Sequence, residues 1–203
     1  RTRPTAQWAQ GDTSMSALVP AAGNPLALRQ FEQKSSYDYP YLVAYANDEF
    51  GDDFPPLPLP PWLMLHRIIE ISATGGAHNL GFAIAEYDVT PETADWFFRY
   101  HFKRKPIMPG ALGIDGVYQL GGIFLPWIGA RGLGMAISFG GGKFRGMVTP
   151  DSRVVQFRVD VTQLKFPSSL STVKVDGRVT CDGKLIYEMN DFMVGVKSQS
   201  KAA

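Results

Sequence analysis

In the stretch YHFKRKPIMPGALGIDGVYQL (100–120), His101 stands between Tyr100 and Phe102, and Asp115 follows inside an otherwise apolar run with Gln119 four residues on. On a helix, residues four apart share a face, so the Gln119 amide can hydrogen-bond the Asp115 carboxylate. An ionised carboxylate in apolar surroundings is costly. The usual relief is to keep it protonated, which leaves it able to donate as a general acid must. An imidazole held between rings with little competing charge stays largely neutral and serves as a base. Backbone N–H groups at Gly110 and its neighbours, unpaired at a helix start, can polarise a carbonyl. A base, an acid and a carbonyl-polarising terminus suit removal of a proton alpha to a carbonyl with loss of a beta substituent, and a β-hydroxyacyl thioester is the natural substrate. The plainer readings, a packed core histidine and an aspartate in a structural hydrogen bond, stay open on the residues alone.

Other chemistry-bearing residues carry less. His66 and His78 have no acid or cysteine beside them at metal-ligand spacing, so both read as structural and no metal site is expected. Cys181 lies in a strand hairpin with no histidine beside it. GGGK at 140–143 lacks the spacing and the following Ser or Thr of a phosphate loop and reads as a β-bulge or close strand packing. The basic run Lys103, Arg104 and Lys105 is either solvated surface or, placed directly after His101, an anion-docking patch.

The elements that must position these residues follow from periodicity. MPGALGIDGVYQLGGIFLPWIGA, bounded by Pro109 on one side and Gly132 and Gly134 on the other, reads as a buried helix that Pro126 ends or kinks near Leu125. In VVQFRVDV the residues Val155, Phe157, Val159 and Val161 alternate with polar ones, as in a strand with one buried face. Weaker alternation marks Leu80, Phe82 and Ile84, then Val173 and Val175, then DFMVGV; Asp182-Gly183 is a hairpin signal. The expected architecture is α+β, one long helix wrapped by an antiparallel sheet of about five to seven strands.

Residues 1–30, rich in Ala, Pro, Gly, Ser and Thr, read as a flexible leader, either the end of a transit peptide or a tag remnant ahead of Met15. Residues 31–61 form an aromatic N-terminal hook and a Pro-rich connector laid across the domain, residues 62–196 the domain proper, and 197–203 a tail. The 20 Lys and Arg against 19 Asp and Glu leave a charge of +1, so no global attraction to nucleic acid or an anionic membrane is expected. One cysteine excludes an internal disulfide, and no apolar run approaches the roughly 18 residues of a membrane span. A cytoplasmic setting is expected, with an organelle left open.

DWFFRYHF, PIMPGALGIDGVYQL, GKFRGMVTP, DGKLIYEMNDFMVGV and, more weakly, PPWLMLHRI make the chain resemble the β-hydroxyacyl-(acyl carrier protein) dehydratases, closest to the bifunctional β-hydroxydecanoyl dehydratase/isomerase branch. The likeness spans about residues 31–196. It implies a hot-dog fold and a homodimer with shared active sites. It also implies His101 as base, Asp115 as acid, Gly110 as carbonyl-polarising amide and Gln119 as support for the acid. In that family each site takes the base and the acid from different subunits. Dehydratases without isomerase activity typically have glutamate at the acid position, so Asp115 points to the isomerase-capable branch. The implied reaction converts 3-hydroxyacyl to trans-2-enoyl thioester, then to the cis-3 isomer, in fatty acid biosynthesis. The partner is acyl carrier protein with its phosphopantetheine-borne chain, and no metal or redox cofactor is implied.

Ala111 and Tyr118 replace a cysteine and a tryptophan of better-known members, which leaves chain-length preference open. TQLKFPSSLST is poor in charge where relatives carry arginines, so docking of the carrier is expected at Lys103, Arg104 and Lys105. The alternatives are a dehydratase-only module of a larger synthase, a thioesterase on the same fold, and a non-catalytic acyl-binding hot-dog protein. The His101/Asp115 pairing argues against the last two.

Overall fold

The computed structural model describes residues 28–198; most of the leader and most of the tail lie outside them. The element order is α1 (Tyr39–Ala46), β1 (Arg67–Ser72), β2 (Phe82–Asp88), α2 (Pro91–Phe98), α3 (Gly110–Trp127), β3 (Leu133–Ser138), β4 (Gly141–Phe144), β5 (Val154–Lys165), β6 (Leu170–Cys181) and β7 (Lys184–Lys197). All strand pairings are antiparallel, in the order β1-β2-β5-β6-β7-β3, with β4 also pairing β7. The α+β architecture expected from the sequence is therefore the one observed.

Helix α3 is the core around which the sheet curves, touching β2, β3, β5, β6 and β7. It begins at Pro109-Gly110 and ends two residues past Leu125, with Pro126 in its last turn. Its approach to the sheet depends on missing side chains. A Cβ at Gly113 would fall 2.1 Å from the Tyr187 ring, and one at Gly116 would fall 2.4 Å from Phe157. Opposite it, Val155, Phe157, Val159 and Val161 of β5 are fully buried, as are Val173 and Val179 of β6. The β6–β7 turn has positive φ at both Asp182 and Gly183, the type I′ geometry that matches strand twist. GGGK turns out to be close packing: a Cβ on Gly140 would meet that of Asp191 at 2.5 Å.

Two features differ from the periodicity reading. In β2 the buried face is Ala83, Ala85 and Tyr87, while Phe82 and Ile84 are half-buried on the other face and Leu80 is exposed. Small residues face α3 there, and Phe82 is covered from outside by the Arg158 guanidinium, 5.0 Å from its ring centre. A second helix, α2, also appears; Pro91 sits in its first turn and the Thr90 N–H donates to Thr93 Oγ1 at 3.0 Å.

The N-terminal segment packs on the domain. Phe31, Tyr37, Tyr41, Phe50 and Phe54 form a ring cluster, capped by Arg131 with its guanidinium 3.7 Å from the Phe54 ring centre. Trp127 Nε1 donates to the Lys34 carbonyl at 2.8 Å and the Gly132 N–H to the Asp53 carbonyl at 2.6 Å, so the hook is tied to the C-terminal end of α3. The Pro-rich connector then crosses the surface, with Leu57 buried and Pro55 seated against Gly134.

His66 is structural in its contacts. Its ring stacks on Tyr87 at 4.2 Å, and its Nδ1 accepts the Asp88 N–H at 3.0 Å. Burial pulls its pKa from 6.5 down to about 4, outweighing the opposing pull of the Asp88 carboxylate 3.7 Å away. The unfolded chain therefore takes up this proton near pH 6.5 while the folded one refuses it until about pH 4. The contribution is complete above pH 6.5 and shrinks as pH falls toward 4. Asp88 is held below its ordinary 3.8 by Arg67 and titrates beneath that window. Thermal melts across pH 4–7 should show stability falling on acidification by as much as a few kcal/mol, and His66→Phe should flatten that slope. An equal slope in the variant would contradict this assignment.

Candidate active site

Asp115 and Gln119 lie one turn apart on the same face of α3, as their spacing predicts. Gln119 is buried, at 6% exposure, and its amide is fully engaged. Nε2 donates to Asp115 Oδ2 at 2.6 Å and to the Trp62 carbonyl at 3.0 Å, and Oε1 accepts the Met64 N–H at 2.9 Å. One side chain thus fixes the carboxylate and pins the end of the Pro-rich connector to the central helix. The Trp62 indole adds a second donor, Nε1 to Asp115 Oδ2 at 2.9 Å, and its ring packs against Trp96 of α2 at 5.6 Å. Asp115 is half-buried rather than sealed in apolar surroundings. Both N–H donors go to Oδ2, and Oδ1 has no hydrogen-bond partner among the described residues.

These groups open on a cavity of about 300 Å³ walled by Tyr45, Pro55 to Pro58, the Asp115-to-Gly122 face of α3, and strands β3 and β7. It is mainly apolar and of a size that takes a small ligand or an acyl tail. From Asp115 to Gly122 the helix advances about 10 Å, and a Cβ at Gly122 would meet nothing within 4 Å. Tyr118 lines the cavity, its hydroxyl donating to the Ser138 carbonyl at 3.0 Å; Ala111 is exposed and does not line it.

His101 sits in the loop from α2 to α3. The His101 N–H reaches the Phe97 carbonyl at 3.0 Å, and the Ile107 N–H returns to the His101 carbonyl at 2.7 Å. Ring Nδ1 lies 3.1 Å from the Ile107 carbonyl, which can only accept, so Nδ1 is the donor in this contact and Nε2 is the nitrogen left without a hydrogen-bond partner among the described residues. Phe102 stacks on the imidazole at 4.0 Å, but Tyr100 turns to solvent at 76% exposure, so one ring holds His101 rather than two. His101 does not line the cavity that Asp115 lines, so one chain does not bring the two together there. Lys103, Arg104 and Lys105 occupy the exposed tip of the same loop, closed by paired backbone bonds between Phe102 and Lys105.

Gly110 is the first residue of α3, where the Leu112 N–H turns back to the Pro109 carbonyl at 3.0 Å and the Gly110 and Ala111 N–H groups have no intrahelical acceptor. A Cβ there would press on Phe144 at 3.0 Å. Cys181 is buried, which pushes its thiol above the ordinary 9.0, and His78 faces Asp176 at 3.3 Å. Among the described residues no three His, Cys, Asp or Glu side chains are grouped to hold a metal ion. Trp62 is the site residue that sequence reasoning missed. Its signals were a tryptophan closing the Pro-rich run and its place in PPWLMLHRI, neither of which gives it a role.

An antiparallel sheet of this order curved about one long helix, with a polar cluster on that helix, defines a hot-dog domain. Residues 57–190 match the family model described as a FabA-like domain, well over half the chain, and the protein belongs to that family. Among solved structures it is similar to the dehydratase heterocomplex ApeI:P from Xenorhabdus doucetiae, with a TM-score of 0.52 at 16% identity over 74% of this chain and 91% of that one. At that identity the likeness shows the fold. Lower similarity extends to a hypothetical thioesterase with coenzyme A from Streptococcus pneumoniae (TM-score 0.43, 12% identity, 64% and 88% covered). The virulence protein Cj0977 from Campylobacter jejuni stands alongside it (0.46, 14%, 71% and 83%).

Replacing Gln119 with leucine would leave the Met64 N–H and the Trp62 carbonyl unpaired, at roughly 1–3 kcal/mol each. Urea unfolding of Gln119→Leu should show a loss of about 2 kcal/mol or more. A loss near zero would remove Gln119 from the centre of the site's architecture.

Proposed function

We propose that the protein dehydrates 3-hydroxyacyl groups carried on acyl carrier protein to trans-2-enoyl thioesters, and isomerises the product to the cis-3 form. The observation that carries this is Asp115. It is a carboxyl group on the central helix of a FabA-like domain, held through one oxygen, in the lining of a cavity able to take an acyl chain. His101 Nε2 takes the proton from C2, Asp115 gives its proton to the departing C3 hydroxyl, and water leaves as the C2–C3 double bond forms. The Gly110 N–H and the positive end of α3 stabilise the charge that develops on the thioester oxygen. In the isomerase step a proton leaves C4 and one returns to C2, so the double bond moves without redox change.

The site is a two-chain site, with His101 of one protomer serving Asp115 of its partner, which accounts for their separation within one chain. Support for a dimer comes from strand β3, which among the described residues pairs β7 on one side only and exposes Leu133 and Ile137. Phe102, Phe139 and Phe144, each more than half exposed, add apolar surface of the kind that interfaces cover. Lys103, Arg104 and Lys105 serve as the docking patch for the acidic carrier. Among the described residues no helix is long and apolar enough to cross a membrane.

The test is product analysis with C10 3-hydroxyacyl carrier protein. Trans-2 and cis-3 decenoyl products that vanish in His101→Ala are expected; trans-2 alone would leave a plain dehydratase, and no turnover at any chain length would favour an acyl-binding module. Charge reversal at the three basic residues should raise KM for the carrier-borne substrate and spare a small thioester analogue. Equal loss on both would withdraw the docking role.

A further inference from the structure

We infer that Trp62 is a positioning residue for Asp115, setting which carboxyl oxygen is presented to the substrate. The inference rests on the proposed acid role of Asp115. An aspartate χ2 is a broad, nearly two-fold torsion, so a carboxyl group with a single donor can rock and exchange its oxygens. Gln119 alone, one turn away on the same helix, supplies such a single donor at 2.6 Å. Trp62 supplies a second from a different element, at 2.9 Å and to the same oxygen. With Oδ2 accepting two N–H groups, Oδ1 is the oxygen left to face the leaving hydroxyl.

Trp62 is itself held at both ends. Its carbonyl accepts from Gln119 Nε2, so backbone and side chain of one residue clamp the Asp115–Gln119 pair. Its ring lies against Trp96 of α2. Half of the residue is exposed, so the indole is held on one side by this ring contact and at its N–H by the bond to Asp115. The connector thus contributes to the chemistry as well as to packing.

The test uses the full chain and two readouts. Indole N–H resonances of the four tryptophans are recorded by NMR, with Trp62→Phe identifying the Trp62 signal. In Asp115→Ala that signal should shift and exchange faster with water, while the Trp127 signal, whose N–H donates to the Lys34 carbonyl, stays. Trp62→Phe, which keeps a ring against Trp96, should lower kcat roughly ten- to a hundredfold with KM and melting temperature little changed. An indole signal indifferent to Asp115→Ala overturns the pairing. A shifted signal with unchanged kcat overturns the positioning role. If the wild-type protein turns over no 3-hydroxyacyl thioester, the proposed function fails, and the NMR arm still decides whether Trp62 holds Asp115.

Discussion

The amide of Gln119 is the constraint on which the site depends. It is buried on the central helix, and burial of an amide is tolerable only when its donors and acceptor are paired. The pairing draws two separated parts of the chain together: the Asp115 carboxylate on α3, and the end of the connector through the Trp62 carbonyl and the Met64 N–H just beyond it. With that amide in place the connector has one seat. Leu57 buries beside the cavity, and the Trp62 indole comes within reach of the carboxylate. The polar cluster and the wall of the cavity are therefore one structure.

Around this cluster the fold supplies position through close contact. α3 lies near the sheet because Gly113 and Gly116 face Tyr187 and Phe157, where a methyl group would overlap a ring. Further along the same helix the surroundings open, and Gly122 faces empty cavity. One helix therefore packs tightly at its start, where the N–H groups and the carboxylate must be held, and leaves space beyond, where a chain could lie. The His101 loop is built to a different plan. Backbone bonds close the loop, the Ile107 carbonyl faces the imidazole Nδ1, and the ring stays outside the cavity of its own chain.

What could be read from the sequence were features encoded in local spacing. The α3 boundaries, the β5 alternation, the Asp182-Gly183 turn and the Asp115–Gln119 pair all follow from residues within a few positions of one another. The buried face of β2 was misjudged because Ala83 and Ala85 carry little hydrophobic signal while Phe82 finds cover under Arg158. Asp160 sits in a polar position of the β5 alternation yet is nearly fully buried, because the Ala77 N–H and the Arg158 guanidinium fold over it. Trp62 could not be read because its partner lies 53 residues away, and no local pattern announces a contact of that range.

In the proposed dimer a working site takes its base from one protomer and its acid from another. Mixing and refolding His101→Ala with Asp115→Asn, each inactive alone, tests it directly. Random pairing should place one intact site in half of the dimers and restore about a quarter of wild-type dehydratase activity. Activity that stays at background in a mixture shown to contain heterodimers would mean that His101 and Asp115 act within one chain, or not together at all.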